Sequence, residues 1–232
     1  MKVGIMQPYF FPYLGYWQLI AAVDKYVVYD DVAYIKGGWI NRNNILMNGK
    51  PSLITLPLDN SSSFRNINEI SVVKNPKAVE KIIKTLNIAY AKAPYKNEVL
   101  PMIEQLLAEN DTIAMLNYNA ILRINEYLGV DTEIILSSRL DKQCELKGQD
   151  KVIHINKLLG SDCYINAIGG MELYDRNAFA AEGIELKFLN MGDVIYKQLK
   201  NDFVPRLSII DVLMFNGKMG TKELMMQYSL VN

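Results

Sequence analysis

Residues 6–43 read MQPYFFPYLGYWQLIAAVDKYVVYDDVAYIKGGWINRN. The apolar run Val3 to Met6 leads into this stretch and has the length of a buried strand. A loop with Pro8, Pro12 and four aromatic residues follows, and Tyr16 to Val23 then has the pattern of a short helix. Tyr26 to Tyr29 is a second apolar run and ends in the acidic pair Asp30-Asp31. Beyond it, Lys36, Trp39, Asn41, Arg42 and Asn43 fall within eight residues. Strand, helix, strand is the unit of a parallel sheet, and ligands of open α/β sheets bind just past the carboxyl ends of such strands.

The rest of the chain extends that unit. Asn48-Gly49 between the apolar runs Asn43–Met47 and Ser52–Pro57 is a hairpin signal, because both residues tolerate positive φ. Asp59–Arg65 reads as a polar loop. Three helices follow: Pro76 to about Tyr90 behind an Asn75 cap, Lys96–Glu109, and a third after Asp111 that stops at Gly129. Alternation then returns: strand Glu133–Leu136, a helix capped by Asp150 and closed by Gly160, strand Cys163–Ile165, helix Asp175–Ala181, strand Glu185–Leu189. Ser208 and Asp211 read as a capping box opening a last helix that stops at Gly217. The expectation is one α/β domain over residues 1–232, with a mostly parallel sheet, right-handed crossovers, an inserted β-hairpin and a helical insertion at about 75–129.

Composition narrows the function. Half the residues are hydrophobic, and 25 basic residues balance 25 acidic ones, so no basic excess is available to track a phosphate backbone. Nucleic acid is therefore not an expected partner. Met1-Lys2 runs straight into a strand, and no apolar run approaches a membrane span, so a cytoplasmic protein without a membrane partner is expected. Cys144 and Cys163 are too few for a disulfide framework, and with the single histidine His154 no metal site is expected. There is no G-x-S-x-G, Walker lysine or G-x-G-x-x-G pattern.

Gln7, Asp30, Asp31, Ser137, Ser138 and Asn166 each follow a strand-like run directly, and in a parallel sheet they gather along one rim. Polar residues at strand ends also serve simply as turn formers and caps. Neighbours on an extended chain point to opposite sides, so only one of Asp30 and Asp31 can face the rim. That one is the candidate base or substrate anchor, and substitutions of the two should differ in effect. Lys36, Asn41, Arg42 and Asn43 form the candidate anion site, with Arg42 expected to be partly buried against an acid or an anion. Trp39 and Tyr9 are candidate sugar or base contacts, and Gly169-Gly170 is a turn whose backbone N–H groups could approach a ligand.

Several motifs in order along the chain resemble the WbqC-like family: QPYFFPYLGYWQLI, VDKYVVYDDVAYIKGGWINRN, LITLPL, YAKAPY, LNYNAILRI with EYLGV, IILSS, YINAIGGMELYD and FVPRLSIIDVLMFNG. The resemblance implies a bacterial context of O-antigen and related surface-polysaccharide synthesis. It also implies cytoplasmic chemistry on a sugar or nucleotide sugar. Many members carry His before Gln-Pro, where this chain has Met6, so no acid or base stands at that position. The opening unit is also similar to nucleotidylyltransferase-like, Rossmann-like folds. Those use two histidines near a loop glycine, whereas Pro12-Tyr13-Leu14-Gly15-Tyr16 has tyrosines, so the likeness implies the fold without that chemistry. The expected activity is transfer of a small acyl or aminoacyl group to an amino sugar or its nucleotide-linked form. The rival is a non-catalytic sugar-nucleotide-binding or assembly protein. The residues assign no cofactor and no oligomeric state.

Overall fold

The computed structural model describes residues 1–108, 111–143, 145–200 and 202–232. In chain order the elements are β1 (Lys2–Met6), α1 (Leu14–Ala22), β2 (Lys25–Val28), β3 (Arg42–Met47), β4 (Lys50–Thr55), β5 (Leu58–Asp59) and β6 (Ser71–Val72). Then come α2 (Pro76–Ala89), α3 (Lys96–Ala108), α4 (Ile113–Leu128), β7 (Glu133–Leu136), α5 (Gly148–Leu158) and β8 (Cys163–Ala167). The chain ends with α6 (Arg176–Ala181), β9 (Glu185–Met191), α7 (Ile209–Met225) and β10 (Tyr228–Val231).

The main sheet has the order β10-β9-β8-β1-β2-β7, and every pairing in it is parallel except β10 with β9. From β1 the chain steps outward to β2 and β7, then crosses to the other side of β1 for β8 and β9. The direction of winding reverses between β1 and β8, which opens a crevice at their carboxyl ends. The mostly parallel α/β architecture expected from the sequence is thus present, and the antiparallel edge strand β10 is an addition to it.

Side-chain alternation explains how both faces of the sheet are covered. Val3, Ile5, Val27, Tyr164, Leu186 and Phe188 pack with Val152, Ile155 and Phe179 of α5 and α6. Tyr26, Val28, Cys163 and Ile165 point the other way, into a larger core with Trp17, Leu19 and Ile20 of α1, Leu213 and Met214 of α7, and the helices of the middle third. Between the sheet and α7, α1 has almost no exposed side. Its one buried polar side chain, Gln18, donates to the Leu224 and Gln227 carbonyls at the end of α7. Cys163 is a buried free thiol, and Cys144, like the expected end of the second helix at Glu109, lies outside the described residues.

Local signals behave as their chemistry dictates. Asn48 and Gly49 have φ of 51° and 74° and close β3 onto β4 with Met47 opposite Lys50. The Asn75 side chain accepts from Lys77 N, Thr112 caps α4, and Gly129 ends it in the left-handed region. Three expectations are corrected. Asp150 is not the cap of α5, which starts at Gly148, but an acid in its first turn. Ser208 does cap α7 through Ile210 N, but Asp211 turns into the interior instead of completing a box. Gly217, at φ 59°, breaks α7 without stopping it: the Tyr95 ring lies where a Cβ would fall, and the helix resumes to Met225.

The loop between β1 and α1 is mostly buried, so its carbonyls need internal donors. Tyr16 Oη donates to Gln7 O, and Asn117 Nδ2 to both Pro8 O and Ile40 O. Asn43 Nδ2 donates to Phe10 O and Phe11 O, Ser208 Oγ also to Phe11 O, and Trp17 Nε1 to Pro12 O. Phe11 is held at φ 41°, a conformation a phenylalanine adopts only when its surroundings impose it. Asn43→Ala leaves Phe10 O without its donor, and a loss of about 1–3 kcal/mol is expected. Urea unfolding of the variant against the parent measures it.

Candidate functional site

A cleft of about 470 Å³ lies where the winding reverses, past the carboxyl ends of β8 and β9 and beside the β1–α1 loop. Tyr9, Tyr13 and Asn43 border it on one side, and Gly169, Asn190 and Met191 on the other. Trp39, 45% exposed, stands at its edge, and Arg206 reaches in from the segment before α7. Burial raises the phenols of Tyr9 and Tyr13 above their ordinary value, although Arg206 pulls Tyr13 back down. Both phenols are therefore protonated at neutral pH and can donate. Arg206 has no carboxylate within salt-bridge distance among the described residues. The wall also contains Gly15 in the first turn of α1, where a Cβ would fall 2.5 Å from the Tyr13 ring. Glycine at this position is what lets Tyr13 lie flat across the helix start.

The rim is real, but it divides into two halves. Gln7, Asp30, Ser137 and Asn166 all stand at the carboxyl edge of the parallel strands β1, β2, β7 and β8. Of the candidate residues, Tyr9, Trp39, Asn43 and Gly169 border the cleft. Asn166, mostly buried, accepts from Ala167 N, and its amide lies against Gly170, where a Cβ would come within 2.9 Å. Asn41 links Tyr34 Oη to Leu56 O, and Lys36 is exposed. Arg42 is half-buried as expected, yet its partners are neither acid nor anion. Its guanidinium donates to the Gly37 and Gly38 carbonyls and so closes the turn of residues 36–38. An arginine next to a glycine turn finds carbonyl acceptors closer than any carboxylate.

The acidic pair points in two directions, as extended neighbours must, and both members are engaged away from the cleft. Asp30, 2% exposed, accepts from Ser138 N at 2.9 Å and Ser138 Oγ at 2.6 Å, which ties the end of β2 to the end of β7. Asp31 takes Lys142 at 3.0 Å and Lys151 at 3.1 Å. Lys151 also sits over the Tyr29 ring. Burial works to raise the Asp31 carboxyl, but Ser137 and the two ammonium groups outweigh it and hold it below its ordinary value. His154 lies on α5 and accepts from Gln143 N, a structural contact. Among the described residues no three His, Cys, Asp or Glu side chains are grouped to hold a metal ion, and no helix is long and apolar enough to cross a membrane.

A model of the WbqC-like protein family matches residues 7–223, a span that includes every border of this cleft. The chain belongs to the WbqC-like protein family. It is also similar to a protein of Mycobacterium tuberculosis (strain ATCC 25618 / H37Rv) described as uncharacterized protein Rv1507c. The two are 26% identical over 215 residues, covering 91% of this chain and 92% of the other. No solved structure matches the chain.

Sequence reasoning passed over Tyr13, Asn190 and Arg206. Asn190 directly follows the run Glu185–Leu189, so the strand-end rule that selected Asn166 applied to it as well; in the structure β9 continues through it to Met191. Arg206 carried a signal of its own: Pro205-Arg206 directly before a capped helix, without a carboxylate for several residues after Asp202.

The acidic pair yields an unequal outcome on stability. Asp31→Asn removes the carboxylate shared by two largely buried ammonium groups, which keep only carbonyl acceptors such as Ser137 O and Asp31 O, with an expected loss near the low end of the roughly 3–5 kcal/mol for breaking a buried pair. Asp30→Asn keeps one acceptor for Ser138 and should lose only about 1–3 kcal/mol. A carboxyl lowered by folding contributes stability that is present above its unfolded pKa and is lost as pH falls through the folded value. Unfolding midpoints measured from pH 7 down to pH 3 should therefore fall more steeply for the parent than for Asp31→Asn.

Proposed function

We propose that this WbqC-like protein acts in the cytoplasm in surface-polysaccharide precursor synthesis and binds a nucleotide-linked amino sugar in the cleft between β1 and β8. One observation carries the reading. Among the described residues, a single guanidinium without a carboxylate partner, Arg206, faces a cleft bordered by protonated phenols, an exposed Trp39 and the asparagine Asn190, with no carboxylate on its borders. Guanidinium and phenols suit an anionic group such as a diphosphate. Aromatic faces and side-chain amides suit a sugar ring or a base. The volume falls within the range of small-molecule sites. The position past the strand ends at a switch point is where doubly wound, Rossmann-like sheets take nucleotides.

Transfer of an acyl or aminoacyl group to the sugar amine is the chemistry this cleft can host. A donor already activated as a thioester or acyl phosphate needs orientation and hydrogen-bond donors toward its carbonyl oxygen more than it needs a protein base. Tyr9 and Tyr13 are such donors. A second reading, a binding or assembly protein without catalysis, is favoured by one fact. Among the described residues, neither Asp30, Asp31 nor any other carboxylate, histidine, lysine or cysteine borders the cleft.

Calorimetric titration with uridine, UDP and UDP-N-acetylglucosamine tests the binding proposal. UDP and the nucleotide sugar should bind and uridine should not, with Arg206→Ala weakening UDP by at least about tenfold, the scale of one hydrogen bond to a charged group. Equal affinity for uridine and UDP, or an unchanged Arg206→Ala, would refute it. Product formation from an acyl thioester and the nucleotide amino sugar then separates the transferase from the binding protein.

A further inference from the structure

The one cation that borders the cleft among the described residues, Arg206, is carried by a segment with no regular structure of its own. Between Met191 and Ser208 the described residues form neither helix nor strand. Two short arms fold back on each other there. Tyr196 and Phe203 meet edge to face with ring centres 5.1 Å apart. Gln198, 2% exposed, replaces a strand pairing: its amide oxygen accepts from Val204 N at 2.7 Å and its nitrogen donates to Val204 O at 3.0 Å. Two residues further on, Arg206 is held at φ 57°, which a non-glycine side chain adopts when its surroundings fix it.

The fixed point of this strap is Asp211. Its side chain is fully buried in the first turn of α7 and has no cationic partner among the described residues. Oδ2 accepts from Tyr196 Oη at 2.6 Å and from Gln198 Nε2 at 2.8 Å, both on the strap. Oδ1 faces away and accepts from Tyr90 Oη at 2.9 Å, and Tyr90 Oη in turn accepts from Leu46 N of β3. Burial raises the Asp211 carboxyl above its ordinary value, and the three donors only partly offset that. A buried carboxylate without a cation is a costly way to fill space, since an apolar residue would fill it without the desolvation penalty. What the carboxylate adds is direction, because its two oxygens grip the strap on one side and the β3–α2 region on the other. Val194 and Leu207 anchor the strap in the core, and a gap of about 30 Å³ bordered by Tyr13, Tyr196, Arg206, Leu207 and Val212 remains beside it.

We infer that Asp211 is a positioning residue for the cleft: through Tyr196 and Gln198 it fixes the described strap residues 192–200 and 202–207 and so holds Arg206 where it meets the ligand's anionic group. The inference rests on Arg206 being the anion contact proposed above. Nothing in the chemistry requires Asp211 to touch the ligand.

The test is UDP titration of the full chain and five variants, each with its unfolding midpoint. Arg206→Ala should weaken binding about tenfold or more. Gln198→Ala and the milder Tyr196→Phe should each weaken it at least threefold. The double variant Gln198→Ala with Arg206→Ala should be no weaker than Arg206→Ala alone, since the two act through one contact. Tyr90→Phe removes the partner of the oxygen that faces away, so it should lower stability while leaving affinity within twofold. If Arg206→Ala weakens UDP but Gln198→Ala and Tyr196→Phe do not, the positioning role is wrong and the anion reading stands. Losses that follow stability alone, with Tyr90→Phe as damaging to affinity as Tyr196→Phe, would likewise refute positioning. If Arg206→Ala binds UDP as the parent does, the anion reading fails and the inference with it.

Discussion

A buried loop has to find a partner for each of its carbonyls, and the architecture around β1 is arranged to supply them. The loop from Gln7 to Tyr13 carries two prolines, which donate nothing, and bulky aromatics that seek the interior. Its carbonyls are therefore met by side chains of the next helix, Tyr16 and Trp17 of α1, and by others from distant parts of the sequence, Asn43 of β3, Asn117 of α4 and Ser208 before α7. Each donor fixes an element against the loop. Asn117 does so twice, because its amide also takes Ile40 O and so joins the two loops that flank the cleft. The hairpin and the middle helices are thus part of the site's support, although they contribute no strand to the main sheet.

Separation of charge from the cleft is the second constraint. Charged groups on the rim are satisfied at the ends of β2 and β7, Asp31 by Lys142 and Lys151 and Asp30 by Ser138, and all are mostly buried. At this density each carboxylate is committed to structure, since freeing it would leave an ion uncompensated. The other half of the rim, between β1 and β9, holds phenols, amides and one arginine. A ligand entering there meets donors with few competing internal partners.

The sequence was legible where one local rule decided the outcome. Runs of three to five residues located every parallel strand, Asn48-Gly49 located the hairpin, and Gly129 located the end of α4. It was not legible where the deciding partner is far along the chain. Asp211 looks like a cap because a serine stands three residues before it, yet two tyrosines and a glutamine from elsewhere draw it inward. Arg42 looks like an anion ligand because asparagines flank it, yet the carbonyls of a glycine turn reach it first. Strand ends predicted a rim correctly but could not say which half of it is open, because that depends on side-chain partners across the sheet.

The same distinction bears on what the cleft can do. General acid–base catalysis needs a group whose proton affinity lies near the working pH. Burial moves the Tyr9 and Tyr13 phenols the other way, so they stay protonated, and a guanidinium does not titrate in that range. Fixed donors of this kind stabilise negative charge on a ligand without giving up a proton. On the proposed transferase reading, the donor would bring its own activation, as a thioester or acyl phosphate does, and the acceptor would lose its proton to the leaving group or to solvent. The framework around Gln7–Tyr13 and the strap under Arg206 would then act by holding two reactants in register, which can replace a large part of a reaction's entropic barrier.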